Sequence, residues 1–340
     1  MKILHLLYSH SFSGAENIVS LIINATNDVP GFDSIYCSPI GSIKDTLEAK
    51  GVPYLGINKV SLKEVKRAIE IYQPDVIHAH GTIAGFMAAL ACGRRKLVLH
   101  IHNNSKDSGR LSLKSMVNLL PFIKAKQVIW VSKDCLDYYL FSSLVKKKSS
   151  VISNGIDLSQ FKFSKRKTNR YKLVMVSRFA PAKDQQTVIK AMSFLDQRYH
   201  LYLIGDGPLI EDSKRMVSMM QLDQRVHFLG ARSDIAYQIG DAFVGIQSSN
   251  WEGFGMSALE FMACGIPVIA SDVEGLKQVV EGAGVLFKKG DAKDLSEKIR
   301  NLSTDNDYYE KIATKCKDRA NNYSIDLTVE KILKIYRDIE

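Results

Sequence analysis

Residues 251–271 read WEGFGMSALEFMACGIPVIAS, and this stretch decides the reading of the chain. Glu252 and Glu260 flank a loop that turns into a helix. Glycine has no Cβ and tolerates positive φ, so Gly253 and Gly255 let the backbone approach a ligand closely. Met256, Ser257, Ala258 and Leu259 then make a first helical turn, whose free N–H groups and positive dipole end suit a phosphate or another anion. Glu260 falls inside that helix. An ionised carboxylate only accepts hydrogen bonds, so near an anion it is unfavourable unless it holds hydroxyls such as those of a sugar or ribose. Gly265 ends the helix as a C′ glycine, and Pro267 opens a buried strand, PVIAS. The bland alternative is a loop-to-helix junction carrying two surface glutamates. The glycines, the spacing and the strand that follows agree against it.

Outward from this stretch the same alternation recurs. In the second half, YKLVMVS from Tyr171, HLYLIG from His200, RVHFLG from Arg225, AFVGIQSS from Ala242 and AGVLF from Ala283 are short apolar runs separated by helical patterns. The first half has KILHLLY from Lys2, SIYCS from Ser34, DVIHAH from Asp75, KLVLHIH from Lys96, QVIWVS from Gln127 and SVISNG from Ser150. Continuous apolar runs flanked by helices predict parallel sheets buried on both faces. Leu158 to Asn169, LSQFKFSKRKTN, is basic and poor in aliphatics and reads as the linker. The spacing of Ile325, Leu327, Val329, Ile332, Leu333, Ile335, Tyr336 and Ile339 predicts a last helix over 325–339. Two doubly wound domains in tandem are expected to turn their strand ends toward a shared crevice.

Size and composition agree. A chain of 340 residues holds about two domains. No apolar run reaches the roughly 20 residues of a membrane span. The N-terminal run is too short for a signal peptide and lacks a small-residue cleavage site, so it reads as a first strand. The net charge of +10 suits anionic partners, namely nucleotide or lipid phosphates. No basic–aromatic pattern of a nucleic-acid reader accompanies it. Cys37, Cys92, Cys135, Cys264 and Cys316 are scattered, with no C-x-x-C, and imply neither zinc nor a disulfide framework. A reducing cytoplasm is the expected setting.

Other constellations point to the same chemistry. Arg178 and Lys183 follow the first strand of the second half, where two cations offset the charge of a departing diphosphate. Solvated charge at a helix start is the plain alternative. Gly205, Asp206, Gly207 and Pro208 follow a strand, but Ile210 stands where a dinucleotide fingerprint needs glycine. Asp206 is as much a turn residue as a ligand. Ser13-Gly14-Ala15-Glu16 opens a helix and doubles as a capping box. His78, His80, His100 and His102 sit at strand ends, and alternation sends His100 and His102 to one face. No acid or cysteine stands at matching spacing, so no metal site is assigned. Asp305-Asn306-Asp307 precedes a helix and reads as capping.

Glu252, seven residues and Glu260, with Gly-Phe-Gly after the first acid, resemble the donor-binding motif of the retaining GT-B glycosyltransferases of family 4. The likeness extends along nearly the whole chain. It implies an α/β GT-B fold of two Rossmann-like, doubly wound parallel-sheet domains facing a central crevice. Residues 1–160 would form the acceptor domain and 170–324 the nucleotide-sugar donor domain. Residues 325–340 would cross back as a helix. The resemblance implies that Glu252 contacts the donor sugar and Glu260 the ribose. Gly253, Phe254, Gly255, Met256 and Ser257 would complete that loop. Arg178 and Lys183 look like the family's Gly-Arg-Leu…Lys-Gly cations, with Ser177 and Asp184 in place of the glycines. Gly205, Gly207 and Leu229 would border the nucleotide, and Gly14 would approach the diphosphate. His102 matches the family histidine near the reacting sugar; His80 and Asn103 join it as acceptor-side residues. Glu274 and Gln278 depart from the usual Gly-Gly-x-x-Glu, while Gly275 remains.

The activity so implied is retaining, metal-independent transfer of a hexosyl or N-acetylhexosaminyl group. The donor is a nucleotide-sugar, UDP-sugar favoured. The acceptor is a saccharide or lipid-linked saccharide in surface polysaccharide biosynthesis. No cofactor and no nucleic acid are expected. Lys114, Lys124, Lys126 and Lys146 to Lys148 are candidates for the inner face of an anionic membrane, or simply a solvated face. A GT-B nucleotide-sugar 2-epimerase and, more remotely, an NAD(P)-dependent dehydrogenase are the rival readings.

Overall fold

The computed structural model describes residues 1–12, 14–102, 109, 115–116, 118–161, 169–232 and 234–340. The chain divides into two compact units, Met1–Gly155 with Tyr323–Glu340, and Ile156–Asn322. Both divisions fall a few residues before the positions expected at 160 and 324. Of the basic segment 158–169, residues 162–168 lie outside the described residues.

The first unit is built on strands β1 (Lys2–Leu6), β2 (Asp33–Pro39), β3 (Tyr54–Ile57), β4 (Val76–His80), β5 (Lys96–Ile101), β6 (Gln127–Trp130) and β7 (Ser149–Val151). They form one sheet in the order β3-β2-β1-β4-β5-β6-β7, and each neighbouring pair is parallel. β3 was not expected. Its run, YLGI, is short and only its last residue is buried, as befits an edge strand. The central strands are apolar on both faces because helices cover both. Leu7, Val19, Ile23, Tyr36, Ile43, Leu47 and Val52 make one such buried cluster. Each aliphatic side chain there contributes roughly 1.5–3 kcal/mol.

The C-terminal helix, Ile325–Asp338, belongs to this unit. Ser324 caps it through the Leu327 N–H at 3.3 Å. It seats on the Asn154–Gly155 turn. A Cβ on Gly155 would come within 2.6 Å of the Ile325 Cα, so only glycine allows this approach. Thr328 Oγ1 donates to the Ser153 carbonyl at 3.1 Å. Of the apolar positions whose spacing predicted this helix, Leu327 is exposed.

The second unit carries β8 (Asn169–Val176), β9 (His200–Ile204), β10 (Val226–Phe228), β11 (Ala242–Gln247), β12 (Val268–Ser271) and β13 (Val285–Phe287). Its sheet runs β10-β9-β8-β11-β12-β13, again parallel throughout. Strand order reverses between β8 and β11, a topological switch point of the kind where open α/β sheets bind ligands beyond the strand ends. All five cysteines are buried as free thiols. Burial pushes the Cys37, Cys264 and Cys316 thiols up to about 12. Among the described residues no helix is long and apolar enough to cross a membrane.

Candidate functional site

The loop that follows β11 leads into the helix Met256–Ala263. Gly255 is its N-cap with φ 95°, in the left-handed region where a side chain would strain the backbone. No protein acceptor takes the N–H of Met256 or Ser257 among the described residues. Phe254 is buried beneath the turn. The helix closes at Cys264, with Gly265 left-handed after it at φ 70°.

Glu252 is clamped in this loop. Its Oε1 accepts from the Gly253 N–H at 3.2 Å, and its Oε2 faces Ser249 Oγ at 3.4 Å. A Cβ on Gly275 would lie 2.1 Å from the Glu252 carbonyl. Gly275, which survives where the neighbouring sequence departs from the expected pattern, therefore lets the helix Glu274–Val280 press against Glu252. The side chain of Glu252 forms an ion pair with Lys183 Nζ.

That pairing is built by backbone as well. Lys183 forms an antiparallel bridge with Ser249. The Asp184 N–H donates to the Ser248 carbonyl at 3.1 Å, and the Asn250 N–H to that of Ala182 at 2.8 Å. Lys183 precedes the helix Gln185–Met192 rather than lying in it. Asp184, which replaces a glycine of the motif, is the N-cap and accepts from the Thr187 N–H at 3.1 Å. The sequence indicated both charges but not their contact.

Arg178 is exposed just beyond β8, and no salt bridge reaches it among the described residues. Its backbone is fixed by buried Gln185, whose Nε2 donates to the Arg178 carbonyl and to Ser177 Oγ, both at 3.0 Å. Gly205 and Gly207 have φ of 139° and 151°. A Cβ on either would meet the carbonyl of Ser177 or Phe179 at 2.1 or 2.3 Å. These glycines thus serve the packing of their loop against the Arg178 loop. Asp206 Oδ1 accepts from the Gly207 N–H at 2.7 Å, which is a turn role. Leu229 donates its N–H to the Leu203 carbonyl at 3.0 Å, continuing the β9–β10 pairing.

Glu260 is half-buried in the helix, and its carboxylate accepts no hydrogen bond among the described residues. Burial pushes its pKa up to about 7. A recessed carboxylate without a partner is what a ribose diol would satisfy. Two clefts of about 370 and 640 Å³ open elsewhere, and no candidate residue lines either.

In the first unit, Gly14 is the first residue of the helix Gly14–Asn27, and Glu16 is buried in its first turn. Ser13, Asn103 and Lys114 lie outside the described residues. His80 ends β4 and is buried; His102 follows β5 and is half-buried. His80 Nδ1 and His102 Nε2 are 2.9 Å apart. Burial pushes the His102 imidazole down to about 4, with the Asn154 side chain acting against that shift. His5, on β1, and His78 and His100 complete a buried stack that the sequence did not reveal as one group. Its members come from three strands far apart in the chain. Asp305 caps the helix Asn306–Asn321 through the Tyr308 N–H at 2.9 Å, the role expected of the 305–307 segment.

The family Glycosyl transferases group 1 matches residues 158–319, and Glycosyltransferase Family 4 matches residues 41–160. The chain belongs to the family 4 type of GT-B glycosyltransferases. It is 26% identical to the UDP-Gal:alpha-D-GlcNAc-diphosphoundecaprenol alpha-1,3-galactosyltransferase of Escherichia coli, over 100% of this chain and 97% of that protein. It is 29% identical to the N,N'-diacetylbacillosaminyl-diphospho-undecaprenol alpha-1,3-N-acetylgalactosaminyltransferase of Campylobacter jejuni, over 64% of this chain and 61% of that one. Among solved structures, Anabaena HepE in complex with UDP-glucose superposes with a TM-score of 0.89 at 23% identity, covering 99% of this chain and 100% of HepE. That last likeness is one of fold.

Proposed function

We propose that this glycosyltransferase moves a hexosyl or N-acetylhexosaminyl group from a UDP-sugar to a saccharide or polyprenyl-diphosphate-linked saccharide, with retention and without a metal ion, in surface polysaccharide biosynthesis. The observation that carries the proposal is the joining of Lys183 and Glu252 one loop before a helix that holds an unpartnered Glu260. Those three groups match the three parts of a nucleotide-sugar. Lys183 and Arg178 take the diphosphate, Glu252 the sugar, and Glu260 the ribose. The free N–H groups of Met256 and Ser257 add a neutral anion cradle. The named substrates of the Escherichia coli and Campylobacter relatives and the UDP-glucose complex of HepE support this choice of donor and acceptor. In this reading the second unit binds the donor and the first the acceptor.

The chemistry follows from the charges. The bond from the anomeric carbon to the diphosphate oxygen breaks, and the bond to the acceptor oxygen forms on the same face. The acceptor proton passes to the departing diphosphate. Lys183 and Arg178 neutralise the charge that develops there, the role a divalent ion plays in other transferases. His102, a neutral imidazole, hydrogen-bonds the sugar or the acceptor hydroxyl, with His80 beside it.

Transfer should therefore persist in EDTA. Loss of turnover on chelation, restored by Mg²⁺ or Mn²⁺, rejects the metal-independent reading. A screen of donor hydrolysis across UDP-, GDP- and ADP-sugars identifies the nucleotide.

A membrane-borne acceptor suits the exposed apolar and basic residues that the first unit carries between 116 and 147. Met116, Ile123, Leu140 and Leu144 are exposed, and Lys124, Lys126, Lys146 and Lys147 are exposed in the same segments. Lys148 is not free for that role, because its Nζ donates to the carbonyls of Ile123 and Ala125 at 2.8 and 2.9 Å. Each near-surface cation adds about 1 kcal/mol on anionic lipid. Co-sedimentation with liposomes should rise with anionic lipid and fall with salt. Equal recovery on neutral vesicles would leave the lysines as a solvated face.

A further inference from the structure

Five imidazoles stand side by side in the first unit. Ring centroids are 4.9 Å apart from His5 to His78, 4.4 Å from His78 to His80, 5.4 Å from His80 to His100 and 4.1 Å from His100 to His102. Strand register dictates this, since His5 pairs with His78 and His80 with His100. Side chains at successive even positions then share one face. His5, His78, His80 and His100 are almost wholly buried. A neutral imidazole carries one donor and one acceptor, and leaving either unmet in an interior is unfavourable. Yet among the described residues His5 Nε2, His78 Nε2, His102 Nδ1 and both nitrogens of His100 have no hydrogen-bond partner. Aliphatic side chains would pack these positions without that penalty. The stack therefore calls for a ligand that wants nitrogen lone pairs.

We propose that His80, His100 and His102 form a binding site for a divalent transition-metal ion of imidazole preference, Zn²⁺ foremost. One ligand nitrogen from each lies within 4.8 Å of the others. Zinc holds imidazole nitrogens at about 2.0–2.1 Å, which puts ligand pairs roughly 3–3.5 Å apart. His80 Nδ1 and His102 Nε2 stand 2.9 Å apart in a hydrogen bond, which the ion would replace. The His100 ring, held by neither nitrogen among the described residues, completes the set by drawing one nitrogen closer to the other two. Three neutral nitrogens with an open fourth position favour Zn²⁺, Cu²⁺ or Ni²⁺ over the oxygen-seeking Mg²⁺ and Mn²⁺.

The outer partners fit as well. Metal-bound histidines hold their second nitrogen proton on an acceptor. With His80 bound through Nδ1, its Nε2–H points at His5 Nδ1, 3.1 Å away. With His102 bound through Nε2, its Nδ1–H is left for the Asn154 side chain, which acts on this ring and whose Oδ1 has no partner among the described residues. Half-buried His102 is the way in; the inner set, His5, His78 and His80, is closed. Because His102 is one ligand, a bound ion withdraws it from the transfer reaction and Zn²⁺ should inhibit. That consequence rests on the proposed function, whereas binding of the ion does not.

The test is titration of the full chain with Zn²⁺ by calorimetry and with Co²⁺ by visible absorption. One ion per chain should bind, with the intense d–d bands of a four-coordinate cobalt centre. His80→Gln and His100→Gln should each weaken binding by about 100-fold or more. His227→Gln, which breaks the other histidine pair, His200 with His227, should leave it unchanged. Ring-nitrogen NMR of the unmutated chain keeps the proposal testable if a variant misfolds, since His80, His100 and His102 should shift on adding Zn²⁺. No binding, binding that survives His100→Gln in a folded chain, or shifts confined to His200 and His227 would overturn the assignment.

Discussion

Lys183→Ala should lower transfer by about 10²–10³-fold, the usual loss when one preorganised donor to a developing negative charge is removed. The loop should survive the change. Its course is set by backbone bonds, Lys183 N–H to the Ala180 carbonyl at 2.8 Å and Asp184 N–H to that of Ser248 at 3.1 Å. What is lost is a cation that pairs with Glu252 and that, in the proposed reaction, takes the departing diphosphate. The pair is largely enclosed, at 20% and 16% side-chain exposure. Its electrostatics are therefore less screened than those of a surface pair. The loss should appear mainly in turnover, because the charge grows as the bond breaks. Lys183→Arg, which keeps the charge, should recover part of the rate. Glu252→Ala should also lower turnover while leaving UDP affinity nearly intact, since this carboxylate is assigned to the sugar. Normal transfer by folded Lys183→Ala would reduce the ion pair to a tie between two loops.

Glu260→Ala should weaken UDP-sugar binding by about 1.5–3 kcal/mol, the worth of a hydrogen bond to a charged group. The same carboxyl gives the binding a pH signature. In the free chain it titrates near 7, whereas ribose hydroxyls favour the ionised form. Below about pH 7, binding must expel its proton, so affinity for UDP-glucose, whose own diphosphate does not titrate there, should rise toward pH 7 and level off above. Stability of the free chain should run the other way. The folded carboxyl keeps its proton between 4.5 and about 7, where the unfolded one loses it. That contribution is full below 4.5 and lost as pH rises through about 7. Glu260→Gln should remove both slopes. Calorimetry across pH checks the first, and denaturant unfolding the second. An unchanged affinity in Glu260→Ala would return Glu260 to a merely structural place in the helix.

Much of this was legible in the sequence, for reasons that differ by residue. Most strands announced themselves because parallel sheets buried on two faces leave continuous apolar runs, as in AFVGIQ of β11. β3 did not, because an edge strand carries little of that pattern. The turn at Gly255 and the stop at Gly265 followed from the special φ that each requires. Contacts between distant loops were invisible. Nothing in the spacing brings Lys183 to Glu252, seats Gly275 on the Glu252 carbonyl, or ties Gln185 to Arg178. Gly205 and Gly207 were indicated as nucleotide-bordering residues; their close approach to the Ser177 and Phe179 carbonyls was not visible. The histidine stack was half visible. Alternation paired His100 with His102, whereas only the order β1-β4-β5 adds His5, His78 and His80.

The anomeric outcome of the reaction tests the central reading most directly. The purified chain is given UDP-sugars, EDTA and a polyprenyl-diphosphate saccharide, and the product is examined by NMR. The account predicts free UDP in equal amount to glycosylated acceptor, with the new bond in the anomeric configuration of the donor. An inverted linkage, or an epimerised sugar released without an acceptor product, would contradict it.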